Sequence, residues 1–460
     1  MTLATTIAYN RFGLGATPQD VPVEARVWLL DQIVAYKAHL PNQDTVGNTP
    51  AVLQQFVDFR QARNAARKAG QLEAFKQDKT HADFIHQAVT GQGSARIVSA
   101  LSTPTPFAER LVHFWANHFA ISAEKQEVRP ITGLFEFEAI RPHIMGTFAD
   151  LWMAVLRHPA MLLYLDQAQS IGPSSEIAQM EKRRKLGLNE NLAREAMELH
   201  SLGVRSGYTQ ADVTELARAL TGWTVGELGK GLPPRFRTVD EVMGRFTFMP
   251  SLHEPGPRTV LGKRYGPGGE EQARQILLDL GRRPETATHI ATKLATHFVG
   301  DTPPPALVRR VAAAFYQTGG DLPTTYRALI EAPEAWAPAA AKFKSPWDWA
   351  ISAMRAIGLR QADQRAVGMM NQLGQPIWQP GSPAGWADTM EAWAAPDALL
   401  RRVEVAQNLV NIAPPTLDAR SLAPRLLGAI GAATQRMIAA ADSPRQALVL
   451  MLASPEFQRR

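Results

Sequence analysis

Apolar residues recur three and four positions apart along almost the whole chain, and prolines and glycines, 33 of each, cut this pattern into helix-length pieces. Runs of alternating β-branched residues are few. Such spacing puts the apolar side chains on one stripe of a helix, and each stripe must be buried against a neighbour. The expectation is an all-α protein, a helical bundle of two helical subdomains joined by a Gly/Pro-rich segment with short strands. The first helical region is placed at residues 1–225, an irregular lid or linker at 226–270, and the second helical region at 271–460. With 460 residues, 45% of them hydrophobic, a large core is within reach.

Local chemistry marks several boundaries. Thr209 with Asp212, Thr80 with Asp83, and Ser345-Pro346 with Asp348 each place a capping oxygen before a helix and an acid at its third position. Residues 51–79 read as a polar surface helix ending near Gly70, with Arg60, Arg63 and Arg67 on its solvated side. In the linker, RFTFM and RTVLG read as strands. Helical patterns return in EEQARQILLDL, TATHIATKLATHFVG, PALVRRVAAAFYQ, KSPWDWAISAMRAIG and the terminal QALVLMLASPEFQRR. There is no internal repeat.

Composition narrows the chemistry. Zero cysteines exclude disulfides, thiolate nucleophiles, Fe–S clusters and Cys-type zinc sites. No apolar run approaches the roughly 20 residues that cross a bilayer, and the first residues lack a signal-peptide pattern, so the expected location is cytoplasmic. A net charge of +6 is spread along the chain, which argues against nucleic acid. The one dense basic run, Lys182 to Lys185, is either a solvated loop or a steering patch for an anion.

Two helices carry the polar groups that matter. On a wheel of about 100° per residue, Arg110, Phe114, Asn117, His118 and Ile121 share one arc, with Leu111, Trp115 and Phe119 flanking it. His118 thereby sits among apolar residues and needs a partner, whereas His113 turns toward the polar side and is set aside. On the helix from Glu190 to Leu202, Glu190, Asn191, Arg194, Glu195 and Glu198 gather on one side and His200 falls on the apolar side. Taken alone, that is an ordinary amphipathic helix with surface ion pairs. No HExxH, GxSxG, Walker or dinucleotide motif is present.

The stretches FWANHF at 114–119, HPAMLLYLD at 158–166 and NENLAREAMELHSLGV at 189–204, with NRFGLGATPQD, IRPHIMGTF, GSPAGW and LASPEFQRR, make the chain resemble the large bacterial family known as domain of unknown function DUF1800. Its pattern is matched at Asn189, Glu190, Asn191, Arg194, Glu195, Glu198, His200 and Gly203. It departs at His253, followed here by Glu254 in place of an Asp, which weakens a metal role for that pair. The resemblance implies a site between the two helices. In it His118, Arg194, Glu195 and Glu198 act as catalytic groups, and Arg110, Asn117, Glu190 and Asn191 bind the ligand.

Three functions come into consideration. The first is an enzyme, a hydrolase or an oxidoreductase, for which a divalent metal on Glu195 and Glu198 is one cofactor option. The second is a non-catalytic partner or maturation factor of a co-encoded protein. Family members are often encoded beside a protein with a twin-arginine signal, and co-export would place this chain in the periplasm. The third is carbohydrate binding by exposed members of the set Trp347, Trp349, Trp378, Trp386 and Trp393, whose other reading is core packing.

Overall fold

The computed structural model describes residues 1–40, 43–180, 187–226 and 242–460, with backbone alone for 43, 44 and 79–83. The basic run at Lys182 to Lys185, the middle of the linker and the cap assigned to Thr80 and Asp83 lie outside the described residues. Elsewhere the chain is mostly helical, as its periodicity predicts. The helices that build the site are α1 (Thr49–Lys68), α2 (Lys79–Ser102), α3 (Pro106–His118), α4 (Asn191–Glu195), α5 (Gln210–Leu220), α6 (Pro284–Phe298) and α7 (Pro346–Ala356).

The caps work as their chemistry requires. Thr209 and Asp212 form a reciprocal capping box at the start of α5. Ser345 accepts from the Asp348 amide at 3.1 Å, but the Asp348 carboxylate turns away from the helix end to pair with arginines. α1 exposes Arg60, Arg63 and Arg67, and the turn after it passes through Gly70 at φ +72°.

Both strand segments of the linker form. β1 (Trp223–Val225) pairs antiparallel with β2 (Phe246–Phe248), and β3 (Arg258–Val260) with β4 (Lys263–Tyr265). Leu261 and Gly262 both take positive φ in the two-residue turn between β3 and β4, the geometry that matches strand twist in a tight hairpin.

One connected set of buried apolar residues runs from Ile7 to Phe457, so residues 1–225 and 271–460 share a core. The N-terminal segment stitches them together. Phe12 stacks on Phe298 of α6 at 5.8 Å and meets Phe107 of α3 edge-on at 6.1 Å. Arg11 donates to the carbonyls of Ala335 and Ala339, both at 2.7 Å. Gly15, at φ +101°, lies so close to α7 that a Cβ there would stand 2.7 Å from the Ser352 Cβ, which explains the glycine in the NRFGLG run. Trp115 buries its ring and donates to the Tyr326 hydroxyl at 2.6 Å, a partner that a buried indole requires.

Candidate functional site

α3 runs between the shared core and the C-terminal region, and its polar side chains go three separate ways. Arg110 is 2% exposed and spans Gly13 O and Asp348 Oδ1, the latter at 2.9 Å. Asp348 also takes Arg460 at 3.1 Å. Burial pushes the Asp348 carboxyl up, but the two guanidiniums outweigh it and hold the group far below the usual carboxylate range. Arg110 thereby belongs to a buried ion cluster through Nε and Nη1.

Asn117 does a different job. Its amide donates to Trp386 O at 2.9 Å and its carbonyl accepts from Trp386 N at 2.8 Å, so one side chain mimics a strand partner for the GSPAGW loop. Gly385, at φ +82°, permits that approach, because a Cβ would stand 2.3 Å from Asn117 O.

His118 points the third way, into the protein. Its Nε2 lies 3.1 Å from His200 O. A carbonyl only accepts, so Nε2 carries the proton, and in the neutral ring Nδ1 is left as an unpartnered lone pair. Burial, with Lys293 nearby, drives the His118 pKa well below its ordinary value. α3 ends at His118, so Ile121 lies beyond the helix, though it lines the same cleft as Asn117.

The NENLARE helix changes character midway. α4 gives way at Ala196 to a π-helical turn, Ala196–Ser201, closed by the Ser201 hydroxyl donating to Ala196 O at 2.6 Å. The extra residue per turn rotates the later side chains away from a 100° wheel. The acid-rich side engages α5 instead of α3. Glu190 accepts from Thr214 Oγ1 and Gln210 Nε2, both at 2.7 Å, and from Arg194 at 3.2 Å, while Arg194 also donates to Gln210. Glu198 accepts from the Tyr208 hydroxyl at 3.3 Å, and Asn191 is exposed. Glu195 is half-buried, and burial followed by the Glu198 charge raises its pKa. It is His200, from the apolar side, that reaches α3. His200 is fully buried with neither ring nitrogen partnered, and burial lowers its pKa to about 3.

The structure therefore brings His118 against the motif helix, and leaves Arg110 and Asn117 apart from Glu190, Asn191, Arg194, Glu195 and Glu198. No group of three or more His, Asp or Glu side chains converges as a metal-ligand set among the described residues. His253 donates from Nδ1 to Thr221 O at 2.9 Å, and Glu254 accepts from Ser174 N at 2.7 Å, so that pair ties loops together.

A second polar stripe comes from α6. His289, Lys293 and His297 are spaced four apart, so they stack on one side of the helix, and that side faces α3. His118 and His289 rings lie 6.0 Å apart, and Phe114 and His297 rings 5.4 Å apart. At the end of the stripe His297 Nδ1 is 2.9 Å from Asp388 Oδ2, and its Nε2 has no partner. Asp388 takes Lys342 on its other oxygen at 3.0 Å. Burial lowers the His297 pKa to about 4 against the pull of Asp388, so the ring is neutral with its proton on Nδ1.

This pair stands in the wall of a cleft between α3 and the C-terminal region. Arg96, His113, Trp347, Trp378, Trp386 and Asp388 are among its lining residues, and its free space is about 80 Å³. Arg96 sits over the Trp347 ring at 4.1 Å and pairs with Glu136 at 2.8 Å. His113 is buried, not solvated, and accepts from the Trp347 indole at 3.1 Å. Trp347, Trp349 and Trp378 are buried, while Trp386 and Trp393 are half-covered, with rings 5.9 Å apart. His297, Lys293 and Asp388 are not among the residues expected from sequence. The i, i+4, i+8 spacing of His289, Lys293 and His297 is the signal that could have found the stripe.

No curated protein and no solved structure matches the chain. A family model matches residues 7–459, and the chain accordingly belongs to the family described as Protein of unknown function (DUF1800).

Proposed function

We propose that this chain is a hydrolase whose general base is His297, oriented by Asp388, at the cleft beside α3. The observation that carries the reading is the 2.9 Å contact from His297 Nδ1 to Asp388 Oδ2, both residues lining the cleft, with the buried Nε2 left without a partner. A carboxylate on Nδ1 fixes the tautomer and leaves the Nε2 lone pair for a proton. Water gives that proton to Nε2 as its oxygen attacks the electrophilic centre, and the imidazolium returns it to the leaving group. The cleft has room for waters, and a larger substrate enters when the Trp386 loop shifts. Asn117 is the latch of that loop. The catalytic and metal-binding roles read for Glu195 and Glu198 stand as a separate proposal on the motif helix.

The test is turnover of a panel of chromogenic esters, phosphoesters and glycosides by the wild type, H297Q and D388N. Removing a general base costs roughly 10²- to 10⁴-fold. An active wild type with H297Q unimpaired contradicts the reading.

One observation favours a second reading. The half-covered Trp386, which lines the cleft, and Trp393 lie with rings 5.9 Å apart, and the Trp393 indole is fixed by donation to Ala387 O at 2.7 Å. Sugar faces stack on such rings. Oligosaccharides should then shift the tryptophan fluorescence of the wild type and not of W393A; no response to cello-, xylo-, chito- or malto-oligosaccharides ends this reading.

A further inference from the structure

Arg96, on α2, lines the cleft and is 8% exposed. It engages its counter-ion through Nε alone. Nε stands 2.8 Å from Glu136 Oε2 and 3.1 Å from Glu136 Oε1, and among the described residues neither Nη has a hydrogen-bond partner. Glu136 is fully buried and also accepts from the Trp378 indole at 2.9 Å. The faces of the guanidinium are covered too, because its carbon lies 4.1 Å from the Trp347 ring centre and 5.6 Å from that of Trp378. Stacking of this kind occupies the face of the group and leaves its in-plane N–H donors for other partners.

Two further donors gather around Trp347. Gln375 accepts from Trp347 N through Oε1 at 2.8 Å, which fixes the amide and leaves Nε2 as a donor without a partner among the described residues. Ser345 Oγ accepts from Asp348 N at 3.1 Å and keeps its own proton to give. Both residues line the cleft. Its two carboxylates are already paired, Asp348 with Arg110 and Arg460, and Asp388 with Lys342 at 3.0 Å. Free donors therefore outnumber free acceptors on this wall, which suits an anion and not a cation.

We propose that the cleft binds a ligand through an oxyanion group, a carboxylate or a phosphate, held on Nη1 and Nη2 of Arg96 with Gln375 Nε2 and the Ser345 hydroxyl as supporting donors. The two Nη groups can give parallel hydrogen bonds to two oxygens of one anion, the bidentate pairing for which a guanidinium is suited. The assignment names the substrate class of the site read above as hydrolytic, and it rests on that reading for the anion's being part of a substrate. Anion binding itself does not require His297 to act as a base.

The test is calorimetric titration of the full chain with inorganic phosphate and, separately, with acetate, at an ionic strength held constant with chloride. The anion that binds identifies the group. R96K keeps a cation beside Glu136 but removes the fork, and Q375E keeps the acceptor for Trp347 N but turns the donor into a negative charge. Each should weaken binding roughly ten-fold or more, and either one, shown folded by circular dichroism, is enough to decide. Binding of neither anion to the wild type, or binding that a folded variant leaves unchanged, overturns the proposal. Anion binding by both the wild type and H297Q without turnover of any ester retains this site and ends the hydrolase reading. Turnover that H297Q abolishes, with neither anion bound, does the reverse.

Discussion

His297 Nδ1 stands 2.9 Å from Asp388 Oδ2, a contact that joins groups 91 residues apart in the chain. It fixes the ring of a histidine whose helix also carries His289 and Lys293 on the same stripe. The surrounding burial keeps all three of His118, His200 and His297 neutral, and that has a consequence for the whole fold.

Acid should destabilise the protein earlier than carboxylate titration alone requires. The folded pKa values of His289 and His297 are about 4 and that of His200 about 3, each below the ordinary histidine value of 6.5. Between those limits the unfolded chain binds more protons than the folded one, so stability rises with pH across the window and falls as pH drops from 6.5 toward 4. Each group contributes up to about 1.4 kcal/mol per pH unit there. Urea denaturation at a series of pH values checks this; a flat stability from pH 7 to 4.5 is the opposing result.

Arg110 to Ala should cost about 3–5 kcal/mol, because it strips one partner from the buried Asp348 cluster. A loss below about 1 kcal/mol in the same denaturation assay would show that Arg460 alone balances Asp348.

Asn117 to Ala removes both hydrogen bonds to Trp386. The expected loss is about 1–3 kcal/mol, with faster hydrogen exchange at the Trp386 amide and little change at α2. Gly385 to Ala should produce the same local loosening by steric conflict with Asn117 O. Unchanged exchange at Trp386 in both variants is incompatible with the latch.

Glu195 to Gln and Glu198 to Gln should leave stability within about 0.5 kcal/mol, since both are half-buried and Glu198 has a single hydroxyl partner at 3.3 Å. Arg194 to Ala should cost less than about 1 kcal/mol, as its pair with Glu190 is partly solvated. Larger losses would make this patch structural glue.

Much of the architecture was legible because it is local. Apolar spacing marks α3, α5, α6 and α7, the Thr209–Asp212 box marks where α5 begins, and RFTFM and RTVLG mark β2 and β3. The site was less legible, for two physical reasons. A wheel assumes an unbroken α-helix, and the π-helical turn at Ala196–Ser201 breaks it between Glu195 and Glu198. A wheel also says which residues share a side, not what that side meets. Arg110 and Asn117 sit on one arc, yet Arg110 is spent on Asp348 and Asn117 on Trp386, partners that lie more than 230 residues downstream. His297 reads as part of an amphipathic helix until Asp388 is placed beside it.

The most direct measurement is the protonation state and tautomer of His297 by nitrogen-15 NMR of the full chain at neutral pH, assigned with H297Q. A neutral ring protonated on Nδ1 is the expected result, with the Asp388 to Asn variant shifting that signal and leaving the His289 signal in place. An imidazolium at His297, or a neutral ring protonated on Nε2, contradicts the assignment of His297 as the oriented base.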